Sequence, residues 1–366
     1  MTGLRIAFFG SSLVSAYWNG AATYYRGLLR AMAARGHRLT FFEPDAYDRQ
    51  AHRDIADPPW AEVVVYPGDA PDAALRAVDQ ARSADVVVKA SGVGVFDEML
   101  EAAIADLSGA RRTTIFWDVD APATLERLAS TPTDPLRALI PRFDLVFTYG
   151  GGRAVVDAYT QLGARQCVPI HNALDPHTHY PAAPDPRYAA DLVFLGNRLP
   201  DREARVDRFF FSAARALPQQ QFLLGGSGWD TGIAPPDNVR RLGHVYTHEH
   251  NTVNASARAV LNVSRDSMAR VGSAPATRLF EAAGAAACVV TDAWSGIETF
   301  LTPDEEVLIA ADGDDVVRHL ERLTPDRARR IGAAARRRLL ASHTYDHRAR
   351  QVDAVLSCGP PQGVTP

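Results

Sequence analysis

The chain reads as an α/β protein built from two parallel-sheet domains, and three observations lead there. Short apolar, β-branched runs alternate with helical periodicities from one end to the other, the pattern of strand–helix–strand units. The run 286–291 is small, apolar and β-branched, as expected of a parallel strand buried on both faces. At 366 residues the chain exceeds what one core usually serves, so two domains are expected. Hydrophobic residues make up 46%, charged residues 22%, and the formal net charge is −4, an ordinary globular balance with no electrostatic pull toward nucleic acid or an anionic membrane. The start, MTGLRIAFFG, runs into a strand without a cleavable signal pattern, and no apolar run reaches the roughly 18 residues of a membrane span, so a cytoplasmic protein is expected. Cys167, Cys288 and Cys358 are widely spaced and odd in number, and read as reduced structural thiols.

In the first half, strands are expected at 4–9, 38–43, 62–66, 85–90, 113–117, 144–149 and 166–171. After the first strand, Gly10-Ser11-Ser12 opens a polar loop to Asn19-Gly20. Tyr24, Tyr25, Leu28, Leu29 and Met32 then recur at helical spacing until Gly36 stops them. Residues 1–175 form the expected first domain. The proline-rich, aperiodic 176–188 is expected as a linker. A second α/β series over 189–342 has strands at 191–195, 221–224, 239–245, 259–264 and 286–291, with helices at 201–217, 311–323 and 325–341. A helix at 343–358 and a disordered tail at 359–366 complete the chain.

The stretch APATRLFEAAGAAACVVTDAWSGIE, 274–298, concentrates the chemistry. Arg278 and Glu281 are three apart and share a helix face, while Leu279, Phe280, Ala282 and Ala283 supply packing. The strand that follows ends in the turn Trp294-Ser295-Gly296-Ile297-Glu298, at the edge where open α/β sheets bind ligands. This stretch resembles the nucleotide-sugar segment of two-domain (GT-B) glycosyltransferases, and its Arg-Leu-Phe-Glu-Ala-Ala form is most similar to the CgeB-like branch. The resemblance extends over roughly residues 4–356. It implies two Rossmann-like domains facing a cleft, with the last helix crossing back to the first. It implies a nucleoside diphosphate sugar as donor, no metal or other cofactor, Glu281 on the donor ribose, and the 294–298 turn facing phosphates or sugar. Two positions depart from the pattern: Ser273 stands where many family members carry a second glutamate, and Ala286 where they carry a glycine. His-Asn-Ala-Leu-Asp, 171–175, resembles the turn that ends the first domain in such enzymes and brings Asn172 to the cleft.

Strand ends in the second series carry Gly196, Asn197, Arg198 and Gly226, small and cationic residues suited to a diphosphate. With Arg278, Glu281, Ser295, Gly296 and Glu298 they form the expected donor site. Asp118 and Asp120 end the fifth strand and are the candidate general base for an acceptor hydroxyl, although Asp120 also fits a helix cap before Pro122. Gly10, Ser11, Asn19 and Gly20 are expected to line the acceptor side. A dinucleotide cofactor is not expected, because Gly10-Ser11-Ser12-Leu13-Val14-Ser15 lacks the Gly-x-Gly-x-x-Gly spacing, and Glu43 then reads as a solvated strand-end carboxylate. Asp118-Val119-Asp120 and the His244, His248, His250 group are weighed as metal ligands and set aside, the histidines as a solvent-facing loop. The arginines at 327–338 read as a solvated helix face. A non-hydrolysing nucleotide-sugar epimerase and a catalytically silent nucleotide-sugar-binding protein are the alternatives, the second favoured by Ser273.

Overall fold

The computed structural model describes residues 3–230 and 234–358, so the tail expected at 359–366 lies outside the described residues. The chain divides into two compact units, one running up to His171 and including the helix Tyr345–Ser357, the other running from Asn172 to Thr344.

Seven strands make the first sheet: β1 Arg5–Phe9, β2 Arg38–Asp45, β3 Glu62–Pro67, β4 Val86–Ala90, β5 Thr113–Asp118, β6 Leu145–Thr148 and β7 Cys167–Pro169. All pair in parallel, in the order β3-β2-β1-β4-β5-β6-β7. Parallel pairing requires crossovers, and helices supply most of them: Ala22–Ala34, Pro71–Ala81, Asp97–Ala105, Ala121–Ser130 and Arg153–Gln161. Phe8, Phe41, Trp117 and Phe147 are buried in the core, with Tyr24 and Tyr25 from the first helix. Helix Tyr345–Ser357 returns to this unit. Its Asp353 accepts from His37 Nε2 at 2.7 Å and from Arg35, and Gln351 Nε2 donates to Pro169 O at 3.0 Å. Gly27 makes the approach possible, since a Cβ there would stand 2.1 Å from the Tyr345 ring.

The second sheet has six strands: β8 Ala190–Leu195, β9 Phe222–Gly225, β10 Val239–Gly243, β11 Ala257–Asn262, β12 Val289–Asp292 and β13 Leu308–Ala310, in the order β10-β9-β8-β11-β12-β13. Period-2 packing is explicit in β8. Leu192 and Phe194 join the core under helices Pro200–Val206, Ser212–Ala216 and Gly313–Arg322, whereas Val193 and Leu195 join the core on the other face, with Leu279, Phe280 and Phe300. The first helical segment continues through a π-turn, Asp207–Phe211, that still buries Phe209, Phe210 and Phe211.

Three expectations change. Strand β13, Leu308–Ala310, is absent from the sequence reading. The segment 176–188 is not a loose connector: Tyr180 N donates to Asn251 Oδ1 at 3.2 Å, Asp185 N to Ser256 Oγ at 2.7 Å and Tyr188 OH to Glu249 Oε1 at 2.8 Å, tying it to helix Thr247–Ser256. Residues 172–175, read as the end of the first domain, group with the second unit, where Leu174 N donates to His343 O at 2.8 Å. The cysteines are unpaired, with Cys288 buried and Cys358 exposed. No helix among the described residues is long and apolar enough to cross a membrane.

Ala286, standing where a glycine was noted as usual, holds φ +60 just beyond helix Thr277–Gly284. A Cβ in the left-handed region is strained. Ala286→Gly should therefore stabilise the chain by about 0.5–1 kcal/mol, read as a higher denaturant midpoint. A lower midpoint would mean that the glycine's extra unfolded-state freedom outweighs the relieved strain.

Candidate functional site

Strand order reverses between β1 and β4 in the first sheet and between β8 and β11 in the second, so each unit has a crevice at the carboxyl ends of those strands. In the second unit, helix Thr277–Gly284 brings Arg278 and Glu281 onto one face, with Arg278 Nη1 3.3 Å from Glu281 Oε2. Glu281 is only 7% exposed. Burial pushes its carboxyl up, but the Arg278 guanidinium outweighs that and holds it below the usual range. Two imidazoles also face it.

Those imidazoles are His179 and His250, which with Glu281 place one ligand-capable atom each within 4.8 Å of the others. His250 Nε2 lies 3.2 Å from Val245 O, and a carbonyl only accepts, so that nitrogen carries the proton and Nδ1 keeps its lone pair. The Thr178 hydroxyl donates to Asp175 O and sits 3.0 Å from His179 Nδ1, which assigns His179 the Nδ1–H tautomer with the Nε2 lone pair unshared. Among the described residues, His179 Nε2, His250 Nδ1 and Arg278 Nε are buried without hydrogen-bond partners. Burial lowers both histidines, His250 to about 3 with Arg278 adding to the shift, so each is neutral near pH 7. Two imidazole lone pairs and a carboxylate could hold a divalent cation, but the adjacent guanidinium repels one, and a cation would leave the Arg278 N–H unmatched. A hydroxyl pair satisfies both sides, donating to the lone pairs and accepting from Arg278.

Around this cluster the β8 and β9 loops interlock. Ser227 N donates to Asn197 Oδ1 at 2.9 Å, Trp229 Nε1 to Gly196 O at 2.7 Å, and Arg198 N to Ser227 O at 2.9 Å. Gly226 has φ +127, and a Cβ there would lie 2.2 Å from Gly196 O, so only glycine lets the loops meet. Arg198, expected on a diphosphate, pairs with Glu203 at 2.5 Å. Arg202 donates to Asn197 O, and burial with the nearby Arg278 charge pushes its guanidinium down to about 10. Ser273 N donates to Ser295 O at 2.7 Å, which joins the loop before helix Thr277–Gly284 to the Ser295-Gly296 turn; Glu298 follows, exposed.

Several expectations in the first unit are corrected. Asp118 is fully buried and saturated: Oδ1 accepts from Ser91 Oγ at 2.7 Å, Thr124 Oγ1 at 3.0 Å and Asp120 N at 3.0 Å, and Oδ2 accepts from Tyr159 OH. Burial raises its pKa against those bonds. Such a carboxylate ties the end of β5 to Ser91, to Thr124 on helix Ala121–Ser130 and to Tyr159 on helix Arg153–Gln161. Asp120 is half-buried at the N-cap of Ala121–Ser130, and its side chain makes no capping bond. Ser11 and Asn19 turn inward: Ser11 Oγ donates to Asn19 Oδ1 at 2.9 Å, and Asn19 Nδ2 to Ser12 O and Ser15 O. Gly10 makes room for Phe41, whose ring would stand 2.5 Å from a Cβ, and Gly20 is exposed with open space around it. Glu43 is fully buried, not solvated. Asn172 lies in the second unit, buried, with Nδ2 donating to Pro275 O at 2.9 Å.

His179, His250 and Arg202 are the residues the sequence reading missed. His250 was grouped with His244 and His248, which are exposed beside Tyr246, whereas its partner His179 sits 71 positions earlier in the segment read as linker. A buried-polar signal could not come from so aperiodic a stretch.

A family profile described as "Glycosyl transferase-like" matches residues 202–354. No curated protein matches. Among solved structures, sucrose-phosphate synthase from Thermosynechococcus elongatus aligns at TM-score 0.69 and 14% identity, covering 97% of this chain and 98% of its own. Anabaena HepE, solved with UDP-glucose, aligns at TM-score 0.68 and 14% identity, covering 97% and 100%. AviGT4, a glycosyltransferase of avilamycin A biosynthesis, aligns at 0.57 and 18% identity, covering 96% of each. The two parallel sheets and these similarities define the fold as GT-B.

Asp118→Asn should cost stability, because an amide N–H₂ must face a hydroxyl or N–H that now donates. About 1–3 kcal/mol is expected in chemical denaturation. A wild-type midpoint would return Asp118 to the catalytic candidates.

Proposed function

We propose that this chain is a glycosyltransferase that moves a sugar from a nucleoside diphosphate donor, held by the second unit, to an acceptor hydroxyl bound by the first, without a metal. The observation that carries this is the buried cluster at the start of helix Thr277–Gly284. Its unmatched lone pairs on His179 and His250, the Glu281 carboxylate and the Arg278 N–H together fit a ribose diol, which both donates and accepts. The GT-B fold and the similarity to HepE, solved with UDP-glucose, support the same reading.

The leaving nucleoside diphosphate gains negative charge in the transition state. Arg278, Arg198 and the backbone N–H groups of the Gly196 and Gly226 loops supply the compensation. Proton removal from the acceptor falls to Asp120, which follows β5 at the N-cap of Ala121–Ser130 and is half-buried where Asp118 is fully buried. The CgeB-like branch remains part of this proposal, resting on the Arg278-to-Ala283 motif.

Incubation with a panel of nucleotide sugars in excess chelator should release nucleoside diphosphate together with a glycosylated product. Epimerised sugar would favour the epimerase, binding without either product a silent protein, and rescue by manganese would return a metal to the site. Glu281→Gln should weaken nucleoside diphosphate binding roughly 10- to 100-fold in calorimetry, with a smaller fall in turnover at saturating donor, because the ribose does not change during transfer. The 2′-deoxy nucleotide should lose comparable affinity on the wild type and little more on the variant. Equal wild-type affinity for both nucleotides would remove the diol assignment.

A further inference from the structure

Two loops at the carboxyl edge of the first sheet are braced by hydrogen bonds and carry aromatic rings on the outside. Glu43 at the end of β2 accepts from Ser12 Oγ at 2.8 Å, Leu13 N at 2.6 Å and Gln50 Nε2 at 2.6 Å. Ser15 Oγ donates to His52 O at 2.8 Å, Ala16 N to Asp54 Oδ1 at 2.9 Å, and Arg26 forks onto Asp54 at 2.9 and 2.7 Å. The two loops are thus one cross-braced body. What they expose is Tyr17 at 40%, Trp18 at 57% and Tyr47 at 56%, three of the chain's few exposed large hydrophobics.

Backbone strain falls at the same places. Trp18 holds φ +48, Tyr47 φ +57 and Asp48 φ +60. Bulky residues persist in the left-handed region only when their surroundings over-determine them, and such strain gathers at ligand sites. Leaving three large rings in water while straining two of them has no folding advantage.

We propose that Tyr17 and Trp18 form a platform for a saccharide, the apolar C–H face of a pyranose lying on the rings; this names the acceptor class for the transfer proposed above and rests on that reading only for its catalytic use. The geometry selects the occupant. The Tyr17 ring is backed by the His52 imidazole, stacked at 4.0 Å and 10°, and Trp18 stands at 80° to it with centroids 6.4 Å apart. That is a corner, not a slot between parallel faces, so it suits a sugar's C–H face and edge better than a flat aromatic molecule. Tyr47 spends its hydroxyl on Gly94 O at 2.6 Å and its ring is flanked by the Arg49 guanidinium at 5.0 Å, so its exposed part is ring. The exposed Asp48 carboxylate, 3.3 Å from His52 Nδ1, offers an acceptor to sugar hydroxyls at the rim. Asp48, Asp54 and Asp57 balance Arg26, Arg49 and Arg53 and leave no cationic excess for an anionic lipid surface.

The test uses the full chain with cellotriose, maltotriose and chitotriose, each followed by saturation-transfer NMR and tryptophan emission. At least one trisaccharide should bind. Trp18→Ala and Tyr17→Ala should each weaken it about tenfold, and Trp18→Phe should retain most of the affinity, while nucleoside diphosphate binding stays unchanged in all three variants. The platform is overturned if no trisaccharide binds, if binding is indifferent to both alanine variants, or if 4-methylumbelliferone or phosphatidylglycerol vesicles bind through these residues instead. Saccharide binding through Trp18 in a chain that takes no nucleoside diphosphate would support the platform and sink the transferase reading; the reverse result would do the opposite.

Discussion

A parallel strand buried on both faces leaves polar chemistry only at its ends, and that constraint orders both units of this protein. The β8 strand shows it most plainly, sending Leu192 and Phe194 to one core and Val193 and Leu195 to the other. No side of the sheet is left for a ligand. Right-handed crossovers then place all loops that follow strands along one edge, and the reversal of strand order opens a crevice there. Asp118, Asp120, Asn197 and Arg198 follow or end their strands at that edge because the rest of each strand is occupied by packing.

In the second unit, the edge chemistry depends on leaving charges incompletely neutralised inside the protein. An ion pair as buried as Arg278 and Glu281 normally needs every remaining proton and lone pair satisfied, since desolvation costs several kcal/mol per ion. Here Arg278 Nε has no partner among the described residues, nor do the facing nitrogens of two neutral histidines. The imidazoles add lone pairs without adding charge, which is why burial and the Arg278 cation both matter: they hold His250 unprotonated near neutral pH. A polar cluster so arranged is costly to bury without partners.

The first unit uses the opposite arrangement. Two of its buried carboxylates are well supplied with donors, Asp118 taking four and Glu43 three, and each ties segments separated by tens of residues. The Glu43 bonds brace the loops that carry the exposed Tyr17, Trp18 and Tyr47. The two edges therefore present different surfaces, one cationic and hydrogen-bonding, the other aromatic.

The sequence by itself determined the two parallel sheets and the place of the chemistry along each strand. Apolar β-branched runs such as Val86-Val87-Val88 cannot alternate with polar positions, so they must be buried on both faces, and the Arg278–Glu281 spacing puts both on one helix face whatever the surroundings. Tertiary structure alone decided which of the edge residues face outward. Asp118 and Asp120 are two apart at one strand end, yet Tyr159, 41 positions on, buries the first and leaves the second half-exposed. Ser11 and Asn19 look like loop-lining polar residues until their hydrogen bonds to one another and to Ser12 and Ser15 turn them inward. The segment 176–188 has no period and no apolar face, so its docking on helix Thr247–Ser256, and the delivery of His179 to Glu281, rest on hydrogen bonds to residues about 70 positions away. Periodicity reports which face of an element is buried, but the direction of a polar side chain is set by the partner it finds, and that partner is brought near only by the fold.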